Sequence, residues 1–224
     1  MNIVIIGLGG IGSILCERIA RYLTYSSEEG VKLLLVDGDE YEPKNFDRQD
    51  FTRMGNKAEV KAADLKMQFS RLNVSSYPAF VNETNLAQVI TEGSIVFLCV
   101  DNHKTRMIVS NYSNKLKDVT LISGGNDLID GNVQIYIRQN GSDLTPDLCS
   151  YHPEIANPDD KLPEEMSCEE LALSEPQLYF TNLGVATIMC WAFYNAVVKG
   201  EYEKSEVYFD ITQMASNAKA RIVK

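Results

Sequence analysis

A glycine-rich turn follows directly on an apolar run near the start of the chain. Residues 7–12 read Gly-Leu-Gly-Gly-Ile-Gly, which fits G-x-G-x-x-G with one additional glycine, and an amphipathic helical pattern begins there. This arrangement directs backbone N–H groups and a helix N-terminus at a phosphate group. Asp37, at the end of the next apolar run, is placed to accept a hydrogen bond from a ribose hydroxyl. The sequence therefore predicts a nucleotide site on a βαβ unit. The glycines of the turn are Gly7, Gly9, Gly10 and Gly12.

Basic residues are concentrated in the segment 44–66 of a chain whose formal charge is −10. Such a net charge argues against a nucleic-acid or anionic-membrane partner. A local basic patch in an acidic protein favours a polyanionic ligand such as a triphosphate. For Lys57 and Lys66 a solvated helix face is an equal alternative. The basic residues are Lys44, Arg48, Arg53, Lys57, Lys61 and Lys66.

Apolar runs alternate with helical patterns over the first part of the chain. Unbroken apolar runs are typical of parallel strands that are covered on both faces. The pattern predicts an α/β fold: a Rossmann-like, doubly wound, mostly parallel sheet with C-terminal antiparallel strands. The predicted strands are 2–6, 32–37, 95–100 and 119–123, and the predicted helices lie over 11–22, 58–72 and 103–115.

After residue 131 the pattern changes, although the length suits one α/β domain. Alternating apolar residues over 133–137 predict an antiparallel strand. Residues 139–175 are polar and aperiodic, which predicts a long crossover loop. Residues 176–224 predict an apolar helix and a closing hairpin of 207–211 with 218–223. We therefore expect a single domain over 1–224, with 1–138 as its nucleotide-binding core.

The five cysteines form no regular framework and contain no C-x-x-C pair, so a structural zinc site is not expected. We find no secretory signal pattern, and the apolar stretch 183–198 contains polar residues and is short for a membrane span. It is expected to be a buried or dimer-facing helix. These features predict a cytoplasmic protein without a membrane partner. The cysteines are Cys16, Cys99, Cys149, Cys168 and Cys190.

Five sequence elements occur in a fixed order over residues 1–106. They are Gly-x-Gly-Gly-x-Gly, Asp37-x-Asp39, Asn45-x-x-Arg-Gln, a lysine on the following helix, and Asp-Asn102 at a strand end. Together they resemble the ThiF/MoeB/HesA family, the adenylating domain shared with ubiquitin-activating enzymes. The layout of the whole chain is similar to the shorter ThiF-like proteins of the PRTRC type.

The resemblance implies an adenylyltransferase that uses ATP and Mg²⁺. Its substrate would be the C-terminal glycine carboxylate of a small ubiquitin-like or sulfur-carrier protein, and the enzyme is expected to be a homodimer. It further implies that Asp37 binds the ribose and that Asp39 lies near the adenylate or the metal. Asp101 would hold Mg²⁺; capping of the following helix is the alternative, and the two roles are compatible. The residues expected around the phosphates are Asn45, Arg48, Gln49, Lys61 and Asn102, with Arg48, Lys61 and Asp101 as catalytic residues.

For the family's lysine and for a thioester-forming thiol, the sequence offers two candidates each. Lys57 is followed by alanine, as in the family's lysine motif, but the spacing from Arg48 favours Lys61. Among the thiols, Cys168 is the preferred candidate for forming a thioester and Cys149 is the alternative. Two other functions are considered: a NAD- or FAD-linked oxidoreductase, and a catalytically silent scaffold subunit of an activating complex.

Overall fold

The computed structural model describes residues 1–26, 30–47, 49–165, 177–221 and 223. A nine-stranded sheet runs through this part of the chain in the order β11-β10-β8-β7-β6-β1-β2-β5, with β9 paired to β8. A separate two-stranded sheet is formed by β3 and β4. The strands are β1 Asn2–Ile6, β2 Lys32–Val36, β3 Glu40–Tyr41, β4 Gly55–Asn56, β5 Asn73–Tyr77, β6 Ser94–Leu98, β7 Val119–Asn126, β8 Asp130–Gln139, β9 Ser142–Asp143, β10 Glu206–Asp210 and β11 Ala215–Lys219.

The strands β5, β2, β1, β6 and β7 are parallel, whereas β8, β10 and β11 each pair antiparallel with their neighbours. This topology confirms the predicted doubly wound α/β fold with C-terminal antiparallel strands. Because β1 lies between β2 and β6, the carboxyl ends of these three strands meet at the centre of one sheet edge. That crevice is where open α/β sheets bind ligands.

Helices cover both faces of the sheet. On one face α7 packs against α1, β7 and β8, and a core that includes Leu15, Phe97 and Phe193 fills the space between them. On the other face, α4 packs over a second core that contains Val96 and Leu121. The helices are α1 Gly10–Tyr25, α2 Lys57–Gln68, α3 Leu86–Val89, α4 His103–Ser113, α5 Leu148–Tyr151, α6 Pro153–Ala156 and α7 Tyr179–Phe193, the last continued by a π-helical turn Tyr194–Lys199.

By length and composition, the segment Tyr179–Lys199 resembles a membrane span. Half of it is buried within the protein, because its inner face packs on the sheet and on α1. This is how the core helix of a globular domain is placed, and it agrees with the predicted buried or dimer-facing helix.

The sequence prediction differs from the structure in several elements. Strand β5, Asn-Val-Ser-Ser-Tyr, was not predicted, because its two serines at the sheet edge hide the apolar pattern. The closing hairpin lies a few residues earlier than predicted, since all five residues of β11 are exposed and carry no apolar signal. Short helices α5 and α6 interrupt the polar segment, where Asp147 caps α5 by accepting from the Ser150 N–H.

Candidate nucleotide-binding site

The glycine turn between β1 and α1 is packed too closely for side chains. Gly7 has a φ of +87°, and a Cβ there would lie 2.9 Å from the Cys99 backbone. A Cβ on Gly12 would lie 1.9 Å from the Gly7 carbonyl oxygen. No side chain caps α1 at Gly9, so the first N–H groups of the helix remain available to a ligand. The turn therefore has the geometry of a phosphate cradle.

Asp37 fixes this turn against the end of β2. Its carboxylate accepts from the Leu8 N–H at 2.5 Å and from the Asp39 N–H at 2.8 Å. Burial raises the pKa of Asp37, while the nearby ammonium of Lys57 and these two hydrogen bonds oppose that rise. Each carboxylate oxygen keeps a further lone pair, so the group can still accept from ribose hydroxyls.

Asp39 and Lys57 form an ion pair beside Asp37. The Lys57 Nζ lies 2.5 Å from the Asp39 Oδ2, and the Lys57 side chain is buried whereas Asp39 is half-exposed. Asn56 caps α2 by accepting from the Glu59 N–H, and its amide donates to the Asp37 carbonyl oxygen at 3.0 Å. These contacts hold the N-terminus of α2, and with it the Lys57 ammonium, at the carboxyl end of β2.

Lys61 lies one turn further along α2 and faces a different environment. Its Nζ lies 5.0 Å from the centroid of the Phe51 ring, a cation–π contact. Its charge also lowers the pKa of Cys16, against the larger effect of burial. The two lysines left open by the sequence are thus separated: Lys57 pairs with Asp39 and acts electrostatically on Asp37, and Lys61 packs on an aromatic ring.

The loop between β3 and β4 carries two buried amides, of which Gln49 approaches the glycine turn. Asn45 is buried, and its Oδ1 accepts from the Glu42 N–H at 3.1 Å. Gln49 is 9% exposed; its Oε1 has no hydrogen-bond partner among the described residues, and its Nε2 lies 3.9 Å from where a Gly9 Cβ would be. Arg48, the predicted phosphate ligand, lies outside the described residues.

At the end of β6, Asp101 is exposed and Asn102 caps α4 by accepting from the Thr105 N–H at 2.7 Å. The capping role considered for Asp101 therefore belongs to Asn102. Arg106 is buried and donates to the carbonyl oxygens of Val100 and Gly124, at 2.6 and 2.9 Å. Burial lowers the pKa of Arg106, whereas Asp101 acts in the opposite direction. Arg106 thus ties the segment that carries Asp101 to the next strand.

Asp160 is a residue that sequence reasoning missed. Its carboxylate accepts from the N–H groups of His103 and Lys104, at 2.5 and 2.9 Å, in the first turn of α4. Lys104 also pairs with Glu165 at 2.7 Å. The middle of the crossover segment is therefore fastened to the start of α4, two residues after Asp101. An aspartate in an aperiodic polar stretch gives no sequence signal of this contact.

The four described cysteines are free thiols with raised pKa values. Burial raises the pKa of Cys16 and of Cys190 to about 11 and raises that of Cys99 further. Burial also raises the pKa of Cys149, the alternative candidate for a thioester. A raised pKa reduces the thiolate fraction at neutral pH, so none of these four has the environment of an activated nucleophile. Cys168 lies outside the described residues.

The residues present fit a nucleoside triphosphate with Mg²⁺. The Nε2 of Gln49, which can donate, the uncapped N-terminus of α1 and the carboxylates of Asp37 and Asp101 all lie where the strands end. The described residues include no group of three or more His, Cys, Asp or Glu side chains suited to a metal. A magnesium ion held by one carboxylate together with substrate phosphates is common for this ion.

The comparison with family models matches residues 1–219 to the ThiF family. Among curated proteins, the chain is 28% identical over 156 residues to ubiquitin-like modifier-activating enzyme 5 of Oryza sativa subsp. japonica, covering 61% of this chain and 35% of that protein. It is 29% identical over 144 residues to adenylyltransferase and sulfurtransferase MOCS3 of Drosophila ananassae, covering 62% and 30%. It is 28% identical over 153 residues to the molybdopterin-synthase adenylyltransferase of Haemophilus influenzae, covering 66% and 59%.

The fold is also similar to solved structures. The E. coli MccB structure with ATP matches with a TM-score of 0.74 and 18% identity, over 98% of this chain and 63% of that chain. The PaaA structure matches with a TM-score of 0.71 and 16% identity, over all of this chain and 64% of that one. At these identities the likeness concerns the fold. The chain spans about a third of the length of the first two curated relatives.

Proposed function

Because the chain belongs to the ThiF family, we propose that it is an ATP-dependent adenylyltransferase. Its substrate is the C-terminal glycine carboxylate of a small ubiquitin-like or sulfur-carrier protein. One observation carries the proposal: the Asp-x-Asp segment is attached to both neighbouring parts of the site. Asp37 joins it to the glycine turn by accepting from the Leu8 N–H, and the Asp39–Lys57 ion pair joins it to α2. The names of the three curated relatives agree with this activity.

The reaction joins a carboxylate to the innermost phosphorus of ATP. A carboxylate oxygen of the carrier attacks the α-phosphorus, the bond from that phosphorus to the bridging oxygen breaks, and pyrophosphate leaves with the electron pair. The product is an acyl-adenylate. Since both reactants are anions, positioning and preorganised positive charge must supply most of the rate acceleration.

In this proposal each residue of the site has one task. The uncapped N–H groups of α1 and the Gln49 amide bind phosphate oxygens, and Asp37 accepts from the ribose. Asn45 holds its loop, and Arg48 supplies a guanidinium that can contact two phosphate oxygens at once. Asp101 would hold Mg²⁺, which when bound would supply positive charge next to the leaving pyrophosphate.

For the ammonium that faces the phosphates, the geometry favours Lys57 over Lys61. Lys57 reaches the carboxylates that surround the nucleotide, while Lys61 is engaged with Phe51. A bound triphosphate would compete with Asp39 for the Lys57 ammonium. Because Asp39 is 52% exposed, it can be rehydrated at small cost when the lysine turns to the phosphates.

A thioester step and a homodimer are further parts of the proposal. Cys168 is the proposed acceptor of the acyl group, which it takes as a thiolate with release of AMP; the raised pKa of Cys149 argues against the alternative.

The homodimer is supported by the outer face of α7, where Phe180 and Trp191 are exposed. A groove of about 260 Å³ between α1 and α7 adjoins this face. Contiguous exposed apolar surface is typical of an interface. We also propose a cytoplasmic location, which the free thiols support.

Carrier-dependent ATP–pyrophosphate exchange tests the activity. The carriers to use are small proteins ending in Gly-Gly that are encoded beside this chain, with the same carrier lacking its terminal glycine as control. We expect exchange with the intact carrier alone, in the presence of Mg²⁺. Stabilisation by NAD and not by ATP in a thermal-shift assay would instead identify an oxidoreductase. ATP binding without exchange, unaffected by Arg48→Ala, would support a scaffold subunit.

Light scattering tests the homodimer with the variant Trp191→Ser. Trp191 is 59% exposed, so its replacement should leave the protomer folded. We expect a dimer for the wild type and a larger monomer fraction for the variant. This part of the proposal is wrong if the wild type stays monomeric at every protein concentration up to about 100 times that used in the exchange assay.

A further inference from the structure

The first turn of α7 lies directly on the glycine turn. If Gly10 carried a Cβ, that atom would be 2.2 Å from the Asn182 Nδ2, 2.6 Å from its Cγ and 2.9 Å from its Oδ1. Gly10 has no positive φ, so its backbone would accept an alanine. In the first turn of a helix alanine is the more favourable residue. The contact with Asn182 therefore explains why the turn carries a glycine at this additional position.

Asn182 cannot move aside easily. Its side chain is fully buried, and its Oδ1 has no hydrogen-bond partner within the described part of the chain. Its Nδ2 reaches the Gln177 Oε1 at the long distance of 3.5 Å. A buried amide that is left unsatisfied costs free energy, and such groups in native structures are found where function demands them.

The glycine turn is thus contacted by amides from two separate parts of the chain. Gln49 approaches Gly9 from the loop after β3, and Asn182 covers Gly10 from α7. Both are at least nine-tenths buried, and each has an amide oxygen that is unpartnered among the described residues. Gly9 and Gly10, which these amides approach, form the uncapped N-terminus of α1. The orientation of its N–H groups depends on what packs against the turn.

We propose that Asn182 is a positioning residue of the nucleotide site, which holds the N–H groups of Gly9 and Gly10 in the orientation that binds the ATP phosphates. It acts through Gly10 and does not itself contact the nucleotide. The inference rests on the proposed ATP-dependent function. The inference adds to the site a residue from outside the motif-bearing segment 1–106. The hydrogen-bond partner of Asn182 is Gln177, which follows the crossover segment.

The proposal predicts a coupled effect of two substitutions on ATP binding. Asn182→Ala leaves a cavity over the turn and should raise the Kd for ATP about 10-fold, because misplacement of binding groups by fractions of an ångström to 1 Å weakens their contacts. Gly10→Ala forces the turn and the buried amide apart and should raise the Kd about 100-fold. In the double variant the room vacated by the amide accommodates the new methyl group, so the Kd should return to about that of Asn182→Ala.

Thr181→Val is the matched control. Thr181 is the neighbouring residue of α7, is equally buried, and donates its hydroxyl to the Leu128 carbonyl oxygen at 2.7 Å. Its replacement removes a buried hydrogen bond without touching the glycine turn. We expect a lowered Tm with an ATP Kd within about twofold of the wild type, since the nucleotide contacts are unchanged.

The measurement is ATP binding by isothermal titration calorimetry, with a thermal melt of every variant to establish that it is folded. A double variant as weak as Gly10→Ala, or equal Kd values for Asn182→Ala and Thr181→Val, overturns the proposal. If Gly10→Ala fails to fold, the comparison of Asn182→Ala with Thr181→Val decides alone. A wild-type chain that binds no ATP overturns the proposed function and this inference together; normal ATP binding by Asn182→Ala overturns this inference only.

Discussion

The two buried lysines of α2 allow the most direct test of the site. Lys57→Met and Lys61→Met each replace an ammonium by an apolar side chain of similar length, so the two variants form a matched pair. The ammonium of Lys57 pairs with Asp39 and opposes the rise in the pKa of Asp37, while that of Lys61 lies over the Phe51 ring. In the proposed site only the Lys57 ammonium would contact a bound triphosphate.

The expected magnitudes follow from these contacts. Because Asp39 is 52% exposed, loss of its ion pair costs the fold no more than about 1 kcal/mol. Loss of a preorganised charge at the reacting phosphate costs about 2.7–4 kcal/mol, or 10²–10³ in rate. For Lys61→Met the loss of the cation–π contact is worth about 0.5–1 kcal/mol, which affects stability and leaves the rate within about fivefold. The activity loss at Lys57 should therefore exceed its stability loss, and the reverse should hold at Lys61.

Pyrophosphate exchange at saturating carrier measures the rate, and urea unfolding in the absence of nucleotide measures stability. Both measurements are needed, because a folding defect alone also lowers the exchange rate by reducing the amount of active enzyme. A 10²-fold loss in Lys61→Met together with near-normal exchange in Lys57→Met would refute the geometric reasoning. It would restore the assignment that the spacing from Arg48 favours.

Three further outcomes are expected. Gly12→Ala, whose Cβ would lie 1.9 Å from the Gly7 oxygen, should weaken ATP binding about 100-fold in calorimetry, and a Kd within threefold of the wild type contradicts the turn geometry. Asp101→Asn, at an exposed position, should leave the Tm unchanged and raise the Mg²⁺ concentration for half-maximal exchange about 10-fold; an identical Mg²⁺ titration argues against the metal role. The His152 Nε2 lies 2.6 Å from the Glu206 Oε1, and donation from the charged imidazole to this carboxylate raises the His152 pKa against the opposing effect of burial. The stability from a charged His152 is therefore complete below its unfolded pKa of about 6.5 and is lost as the pH rises through the folded value. Burial alone would raise the Glu206 pKa, but the hydrogen bonds from His152 and Tyr208 lower it, so its contribution is present above about pH 4.5 and is lost at lower pH. Urea unfolding at pH 6 and at pH 8.5 should thus show the wild type more stable than His152→Gln by about 1 kcal/mol at the lower pH only, and parallel profiles would contradict the pair.

Much of the nucleotide-binding half could be predicted from the sequence because its signals are local. The glycine turn, the apolar runs and Asp37 follow one another within a single βαβ unit, where chain geometry fixes which groups meet. Strand β11 could not be located in the same way, since an exposed edge strand has no apolar period. The capping role of Asn102 was not predictable either. It depends on the residue at which α4 begins, and sequence patterns define helix ends only to within one or two residues.

The sequence by itself determined the fold class, the family and the edge of the sheet that carries the proposed nucleotide site, because hydrophobic periodicity and glycine geometry act over a few neighbouring residues. Only the tertiary structure decided between Lys57 and Lys61 as neighbours of the Asp-x-Asp carboxylates, since both lie on one helix and differ in what packs against them. It alone brought Asn182 onto Gly10 and Asp160 onto the first turn of α4. Such contacts join parts of the chain that are far apart in sequence, and their geometry depends on how whole helices and strands pack.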